Sequence, residues 1–385
     1  MPSAAECPAR PGRERIRRHS ASQVFCQTAD YTTADGSSPL DSGAVANIFD
    51  VATEAGVSHQ TVSRVVNGDP TVRPATKARV DAAVSKLNYR PSAAARALAS
   101  RKTRTLGLIS TGGPLFGPSS IMQGFDGAAR QAGYQVSIAS LPTDDSTTFA
   151  AGMRSAVDAL LGQNVEAIVL IAPDTAGIDA IRAVDVGRPL VAADSTASEG
   201  LVSVSLDQYA GAVLATRHLV ELGHRRIVHV GGLSTWTDAR ERERGWRDVV
   251  IAAGVEPLPV VRGDWSPESG YRIGLDLADR ADHGEITAVF CANDQMALGI
   301  LHALSERRIR VPDQVSIVGF DDVPEAAHYI PPLTTVRQDF AALGRQIMST
   351  VKGLLVPQGA PPAVQAAPAP APALVVREST GPAPA

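Results

Sequence analysis

The first regular hydrophobic pattern lies within residues 46–91 and predicts three short helices. The first helix is expected to begin after the cap Asn47 and to end at Gly56, and the second to begin after the cap Ser58. A third helix is expected from Pro74, because proline is favoured in the first helical turn. Two short helices joined by a tight turn, with a longer helix supporting them, have the spacing of a helix–turn–helix domain.

From residue 104 onward, short apolar runs alternate with amphipathic stretches of helical period. This alternation is typical of parallel, doubly wound α/β sheets, and the number of runs favours two lobes over one. The expected strands are residues 105–110, 135–139, 167–171, 189–193, 201–205, 226–230, 288–291, 315–320 and 374–376. The expected helices are residues 123–132, 148–161, 209–222, 240–253, 268–277 and 294–306.

Two segments lack any such pattern. Residues 1–45 are rich in small and polar residue types. This composition predicts either a disordered extension or a segment that follows an upstream start codon which is not used in the cell. Residues 357–373 consist mainly of Pro and Ala, which predicts a stiff, extended linker. We therefore expect the extension at 1–45, the helix–turn–helix domain at 46–91, a connecting segment at 92–103 and the two-lobed domain at 104–385.

Composition narrows the class of protein. The 385 residues are 44% hydrophobic and 20% charged, as in soluble globular proteins. No apolar run has the roughly 18 residues that span a bilayer, and no apolar segment follows the N-terminal arginines, so neither a membrane partner nor a secretory signal is expected. Cys7, Cys26 and Cys291 are too few and too scattered for a disulfide framework or a metal site, which favours the cytoplasm.

The distribution of charge along the chain says more about its binding partners than the net charge of −4 does. Residues 46–102 contain nine Lys or Arg against four acidic residues, whereas the chain beyond them is acidic. A small basic module on an acidic body is expected when only the module contacts phosphates. The second predicted helix also has outward polar residues, and its first turn is where such helices contact base edges. Glutamine there suits adenine and arginine suits guanine, although the same residues could form an ordinary solvated face.

The residues of this segment resemble a known family. Ile48-Phe49-Asp50-Val51-Ala52, Gly56-Val57-Ser58 and the run from Gln60 to Asn67 strongly resemble the DNA-binding signature of the LacI/GalR repressors. The resemblance continues through Lys86–Pro91 to Gln338–Phe340 and covers about 300 residues. It implies a small all-α helix–turn–helix headpiece, followed by an α/β two-lobed periplasmic-binding-protein-like core. It also implies a homodimer on a palindromic double-stranded DNA operator, controlled by a small-molecule sugar effector.

In this family, a hinge helix that orders only on the operator follows the headpiece, and here it corresponds to residues 92–99. An isolated helix of this length is not stable in water, even when it is rich in alanine. Leu98 matches a leucine that inserts into the minor groove, although it could instead pack onto the core. The expected DNA contacts are His59, Gln60, Thr61, Ser63, Arg64, Asn67, Arg73, Ala95, Arg96, Leu98 and Ala99.

A ligand site is expected where the carboxyl ends of the strands of the two lobes face each other. Polar and aromatic residues at those ends are Asp194, Arg240, Arg242, Trp265, Asn293, Asp294, Asp321 and Asp322. Carboxylates accept from sugar hydroxyls, an arginine donates to them, and an aromatic ring stacks on the C–H face of a sugar. Spacing alone leaves open that these residues have only structural roles.

The resemblance implies a more specific site for a β-galactoside inducer. The positions that match the family's galactoside contacts are Leu115, Pro118, Ile121, Asp194, Arg242, Trp265, Asn293, Asp321, Gln338 and Phe340. Two positions depart from the galactoside-responsive pattern: Ile171 replaces an asparagine, and Asp238 replaces a serine. The identity of the sugar therefore stays open, with a glucoside as one alternative.

Other functional classes have little support in the sequence. No nucleophile elbow, phosphate-binding loop, dinucleotide fingerprint or metal-spaced histidine pair is present, so neither an enzyme nor a cofactor is expected. A two-lobed sugar enzyme or transport receptor remains the alternative from another class. In a member of this family, an apolar heptad helix at the C-terminus ties dimers into tetramers. Because this chain has no such helix after Thr380, the resemblance implies a dimer rather than a tetramer.

Overall fold

The computed structural model describes residues 46–90, 102–141, 146–193, 201–356 and 370–384. The chain divides into two compact units, with the boundary after Arg90. Within the described ranges, none of the helices combines the length and the apolar character needed to cross a bilayer.

The first unit consists of the three predicted helices: α1 (Ile48–Ala55), α2 (His59–Val66) and α3 (Pro74–Lys86). Asn47 caps α1, because its Oδ1 accepts from the backbone N–H of Phe49 at 2.8 Å while its own N–H donates to Asp50 Oδ2 at 2.8 Å. Gly56 ends α1 in the left-handed conformation (φ +61°) that glycine tolerates best. These local signals explain why the bounds of α1 follow from the sequence.

A small core of its own holds the first unit together. Val51, Val62 and Val80, one from each helix, are fully buried, and Val65 and Ala83 are nearly so. The side chain of Ser58 caps α2 by accepting from the N–H of Thr61 at 3.2 Å. The apolar side of α2 therefore faces α1 and α3, which leaves its polar side outward.

The second unit contains two parallel sheets, each belonging to one lobe. Lobe 1 has the strand order β2-β1-β3-β4-β5, and lobe 2 has the order β7-β6-β8-β9. The strands of lobe 1 are β1 (Thr105–Ser110), β2 (Gln135–Ser140), β3 (Ile168–Ile171), β4 (Leu190–Ala193) and β5 (Val202–Val204). Those of lobe 2 are β6 (Ile227–Gly231), β7 (Val261–Arg262), β8 (Ala288–Cys291) and β9 (Ser316–Val318).

Helices cover both faces of each sheet, with an apolar cluster under each layer. They are α4 (Phe116–Gln131), α5 (Ser146–Gly162), α6 (Thr175–Arg182), α7 (Gln208–Glu221), α8 (Thr237–Ala252), α9 (Pro267–Asp282), α10 (Asp294–Glu306) and α11 (Phe340–Leu354). The fold class predicted from the sequence, a helical headpiece with a two-lobed α/β core, is confirmed.

The chain passes between the lobes more than once. It leaves lobe 1 after β5 and enters lobe 2 at α7, and it returns through β10 (Thr335–Arg337) to α11, which packs beside α4. A final strand, β11 (Ala373–Val375), pairs antiparallel with β10. The residues that follow β11 lie on lobe 2, where the N–H of Ile317 donates to the carbonyl of Ser379 at 2.8 Å.

Several elements escaped the sequence analysis. The sequence pattern did not single out the short strands β7 and β10, which have two and three residues, or the helices α6 and α11. A short 3₁₀ helix at Pro324–His328 was likewise missed. Most of the predicted Pro/Ala-rich segment, and all of residues 92–101, lie outside the described residues.

The contact between α9 and α10 depends on glycine. A Cβ at Gly299 would lie 2.0 Å from the carbonyl oxygen of Pro267, whereas a Cβ at Gly127 on α4 would have nothing within 4 Å. We expect Gly299→Ala to lower the free energy of unfolding by about 1–3 kcal/mol through overpacking. The control Gly127→Ala should leave it unchanged or raise it by up to about 1 kcal/mol. Chemical denaturation measures both, and equal effects of the two substitutions would contradict the tight crossing.

Candidate functional site

Helix α2 presents a polar face to solvent. His59, Gln60, Arg64 and Asn67 are exposed, and Thr61 and Ser63 are half-buried. Thr61 Oγ1 lies 3.0 Å from Ser58 Oγ, and Asn67 Nδ2 donates to Ser63 Oγ at 3.3 Å. Exposed Gln and Arg side chains in this position have the donors and acceptors that base edges require.

An aromatic side chain that the sequence analysis did not select lies next to this face. Phe49 on α1 is 62% exposed, and its ring centroid lies 5.2 Å from that of His59. The sequence feature that could have identified Phe49 was a large aromatic residue on the polar side of a short predicted helix. Phe49 and His59 together place two aromatic rings beside the first turn of α2.

The remaining predicted DNA contacts are placed only in part. Arg73 is exposed and directly precedes α3. Ala95, Arg96, Leu98 and Ala99 lie outside the described residues.

A cleft between the two lobes of the second unit brings most of the predicted ligand residues together. It encloses about 720 Å³, including its mouth open to solvent. Asp194 lies outside the described residues, and the other nine predicted residues line the cleft. These are Leu115, Pro118, Ile121, Arg242, Trp265, Asn293, Asp321, Gln338 and Phe340.

Arg242 on α8 is at the centre of the polar contacts. It is only 5% exposed, and its Nε donates to Gln208 Oε1 at 2.9 Å. Its Nη1 donates to the carbonyl of Ala292, and its Nη2 lies 3.5 Å from Asp321 Oδ1. The guanidinium carbon also lies 3.9 Å from the ring centroid of Phe320, so the cation is compensated on several sides.

Asp321 is the buried carboxylate of the cleft. Gln338 Nε2 donates to its Oδ1 at 2.7 Å, and its backbone N–H donates to the carbonyl of Val336 at 2.8 Å. Burial raises the pKa of Asp321 to about 6, and the nearby Arg242 and the Gln338 hydrogen bond keep that pKa from rising further. At neutral pH the group is therefore ionised and can accept hydrogen bonds from hydroxyls.

Trp265 provides a flat apolar surface beside these charges. A Cβ at Gly232 would lie 2.0 Å from its ring, so glycine permits this close packing. The backbone of Trp265 is left-handed (φ +75°), and its carbonyl accepts from Asn293 Nδ2 at 3.0 Å. The other side-chain atom of Asn293, Oδ1, caps α10 by accepting from the N–H of Met296 at 3.0 Å. The ring of Trp236 lies 5.2 Å from that of Trp265 between centroids. Among the described residues, Trp265 Nε1 has no hydrogen-bond partner.

Three residues that the sequence analysis considered do not line the cleft. Arg240 Nη2 donates to Thr237 Oγ1 at 3.0 Å. Asp294 is buried and accepts from Thr335 Oγ1 at 2.6 Å, and burial raises its pKa to about 8. Asp322 accepts from two arginines, each at 2.6 Å. Each of these side chains ties together parts of the protein instead of facing a ligand.

The cleft also contains residues that were not selected as ligand contacts. Gln208 bridges Arg242 and Asp238, since its Nε2 donates to Asp238 Oδ2 at 3.3 Å. Phe116 contacts Phe340 edge to face, with ring centroids 5.7 Å apart. Local sequence held no signal for Gln208, because its partners lie more than 25 residues away.

Two family models match the chain. The model described as bacterial regulatory proteins, lacI family, matches residues 47–92, and the model described as a periplasmic binding protein-like domain matches residues 216–380. The first range contains α1–α3, and the second contains most of lobe 2.

Several curated relatives match over most of their length. The lactose operon repressor of Escherichia coli strain K12 is 34% identical over 300 residues, which are 77% of this chain and 81% of that protein. The regulator CelR of Thermobifida fusca is 34% identical over 314 residues, 77% of this chain and 88% of that protein. The repressor PurR of Haemophilus influenzae strain PittEE is 32% identical over 311 residues, 79% and 90% of the two chains.

Solved structures give the same picture. The lac repressor dimer bound to operator and the anti-inducer ONPF is 33% identical, with a TM-score of 0.76 over 87% of this chain and 99% of that chain. The CelR–cellobiose complex is 29% identical, with a TM-score of 0.61 over 87% and 99%. These comparisons confirm both the family resemblance and the fold class inferred from the sequence.

The raised pKa of Asp321 has a testable consequence for stability. Its pKa is higher in the folded protein than the ordinary value of 3.8, so the folded state binds the proton more tightly than the unfolded chain. This carboxyl therefore lowers the free energy of unfolding as pH rises from about 4 to about 7. We expect Asp321→Asn to lose less stability than the wild type over that range in denaturation experiments. The exposed control Asp158→Asn should follow the wild type, and identical pH profiles of all three would contradict the shift.

Proposed function

Because the chain belongs to the lacI family of bacterial regulatory proteins, we propose that it is a sugar-responsive repressor acting in the cytoplasm as a homodimer. Members of this family are transcriptional regulators and not enzymes, so the chain is a DNA-binding regulator. The finer proposal concerns the operator, the oligomeric state and the effector.

The operator in this proposal is a palindrome. Each protomer places α2 in the major groove of one half-site, where Gln60 and Arg64 contact base edges and Thr61, Ser63 and Arg73 contact phosphates. Support comes from the exposed polar face of α2 and from the similar lac repressor dimer bound to operator. The proposal also assigns the minor-groove contact to Leu98, within residues 92–99, which lie outside the described part of the chain.

The effector in this proposal is a sugar bound in the cleft, with a β-galactoside as the first candidate. The observation that supports it most is the buried Arg242, held between Gln208 and Asp321 beside the face of Trp265. Fixed donors and acceptors next to an aromatic ring suit the hydroxyls and the C–H face of a pyranose. Asp194 completes this set in the proposal.

A sugar other than a galactoside is the second candidate. Ile171 and Asp238 both line the cleft and depart from the galactoside-responsive pattern, and CelR was solved with cellobiose. In either case, the sugar favours a closed arrangement of the lobes, and the operator favours the other arrangement. Because the coupling is a free energy shared by two ligands, sugar and operator weaken each other by the same factor.

Operator binding is expected to depend on Arg64. Charge reversal in Arg64→Glu should abolish binding to a labelled palindromic operator in fluorescence anisotropy, because it removes a base contact and adds repulsion from phosphates. Arg217→Glu makes the same charge change on α7 of the second unit and should bind within a fewfold of the wild type. Equal affinities of the two variants would remove α2 from the DNA interface.

Release of the operator by sugar is expected to depend on Asp321. We expect Asp321→Asn to retain operator affinity while requiring about 100-fold more sugar for release, the magnitude of a buried hydrogen bond to a charged group. The exposed control Asp158→Asn should respond as the wild type does. The measurement is anisotropy of the protein–operator complex, titrated with galactosides and then with other sugars. Tight DNA binding that no sugar disturbs would refute the ligand assignment, and no binding to any palindrome would refute the operator proposal.

A further inference from the structure

Two consecutive residues beside the cleft have a backbone conformation that side chains rarely adopt. Asp321, which lines the cleft, has φ +104°, and the next residue, Asp322, has φ +53°. Among the described residues other than glycine, they are the one pair of neighbours that both have positive φ. This conformation is unfavourable for a residue with a Cβ and persists only where surrounding contacts hold it. The contacts around this pair therefore decide where the carboxylate of Asp321 lies.

Hydrogen bonds hold the backbone on both sides of the pair. The N–H of Asp321 donates to the carbonyl of Val336 at 2.8 Å, and the N–H of Val323 donates to Asp294 Oδ2 at 2.9 Å. Between these two bonds, the chain is held by the carboxylate of Asp322, whose side chain is only 7% exposed.

Two arginines bind that carboxylate, and they differ in burial. Asp322 Oδ2 accepts from Arg337 Nε and Oδ1 accepts from Arg377 Nη2, each at 2.6 Å. The side chain of Arg337 on β10 is 59% exposed, whereas that of Arg377, two residues after β11, is 17% exposed. An exposed ion pair contributes little because water screens it, so the pair of Asp322 with Arg377 is the stronger constraint.

Arg377 is itself fixed on lobe 2. Its Nη1 donates to the carbonyl of Leu333 at 2.7 Å, and its backbone N–H donates to Thr334 Oγ1 at 2.9 Å. Beyond it, Ser379 is fully buried, and its carbonyl and Oγ accept from the N–H groups of Ile317 and Thr334, each at 2.8 Å. The C-terminal segment therefore has contacts with lobe 2 that do not depend on the guanidinium of Arg377.

We propose that Arg377 is a positioning residue for the effector site, a role that rests on the sugar-binding function proposed above. Arg377 does not line the cleft. Its guanidinium holds the carboxylate of Asp322, and the strained backbone of Asp322 holds the carboxylate of Asp321 in the cleft. Without this ion pair, the backbone relaxes to other conformations, and a sugar must then supply the cost of ordering Asp321 when it binds. The C-terminal segment thus contributes to effector binding without contacting the effector.

Release of the operator by sugar tests this role in the full-length protein. The probes are methyl β-galactoside, methyl β-glucoside, lactose and cellobiose, and the sugar that releases the wild type at the lowest concentration is used for the variants. We expect Arg377→Met, which keeps the hydrocarbon stem, to need at least about tenfold more sugar for half-release. Its operator affinity without sugar should stay within about twofold of the wild type. The exposed control Arg310→Met, which loses an ion pair with Asp313 on the same lobe, should respond as the wild type does.

A double-mutant comparison separates positioning of Asp321 from a general loss of stability. Asp321→Asn removes the charge that Arg377 is proposed to position, so adding Arg377→Met to it should change the sugar requirement by less than about twofold. The same large effect of Arg377→Met in both backgrounds would overturn the proposal, because the arginine would then act independently of Asp321.

Two further variants test the ion pair itself. Arg377→Lys restores a positive charge beside Asp322 and should need less sugar than Arg377→Met, and a lysine variant no better than methionine would contradict the role of the charge. Asp322→Asn removes the other charge of the pair and should show the same loss. It makes the same comparison with Asp321→Asn if Arg377→Met does not fold.

The outcomes distinguish this proposal from the proposed function. If sugar releases the wild type and Arg377→Met equally well, the positioning role is wrong and the sugar-responsive repressor stands. If the wild type binds the operator and none of the four sugars releases it, the effector proposal fails, and the positioning role fails with it.

Discussion

The buried charge of Arg242 is the constraint on which the second unit depends. A guanidinium removed from water must be compensated, and here the compensation comes from Gln208, the carbonyl of Ala292 and Asp321. Gln208 lies where the chain enters lobe 2, and Gln338, which bonds Asp321, lies where it returns to lobe 1. These two connections between the lobes therefore meet at one ion pair, and a ligand that contacts this pair also contacts both of them.

Neighbouring carboxylates in lobe 2 have different roles because their surroundings differ. Asp321 faces the cleft, whereas Asp322 forms ion pairs with Arg337 and Arg377 and so joins β10 to the C-terminal segment. Asp294 is buried away from the cleft, where it accepts from Thr335 Oγ1 and from the backbone N–H of Val323 in the loop after β9. The ion pairs and hydrogen bonds of Asp322 and Asp294 hold the loop after β9, and that loop in turn holds Asp321 in position.

The first unit is held together by a much smaller apolar core than the second unit. Its core consists of a few valine and alanine side chains, so the direction of α2 depends on its cap, Ser58, as well as on burial of Val62 and Val65. The same packing leaves His59, Gln60 and Arg64 exposed on one side. The excess of Lys and Arg over acidic residues in residues 46–102, on an otherwise acidic chain, suits a unit that contacts phosphates.

The sequence by itself determined the three headpiece helices, most strands of both lobes and, through the family resemblance, nine residues that line the cleft. Capping and periodicity act within a few residues, so such features are visible in a linear pattern. Only the tertiary structure decided that Gln208 bridges Arg242 and Asp238, or that Asp294 and Asp322 are structural while Asp321 faces the cleft. These roles depend on burial and on partners many residues away, and identical side chains differ only in what the fold places beside them.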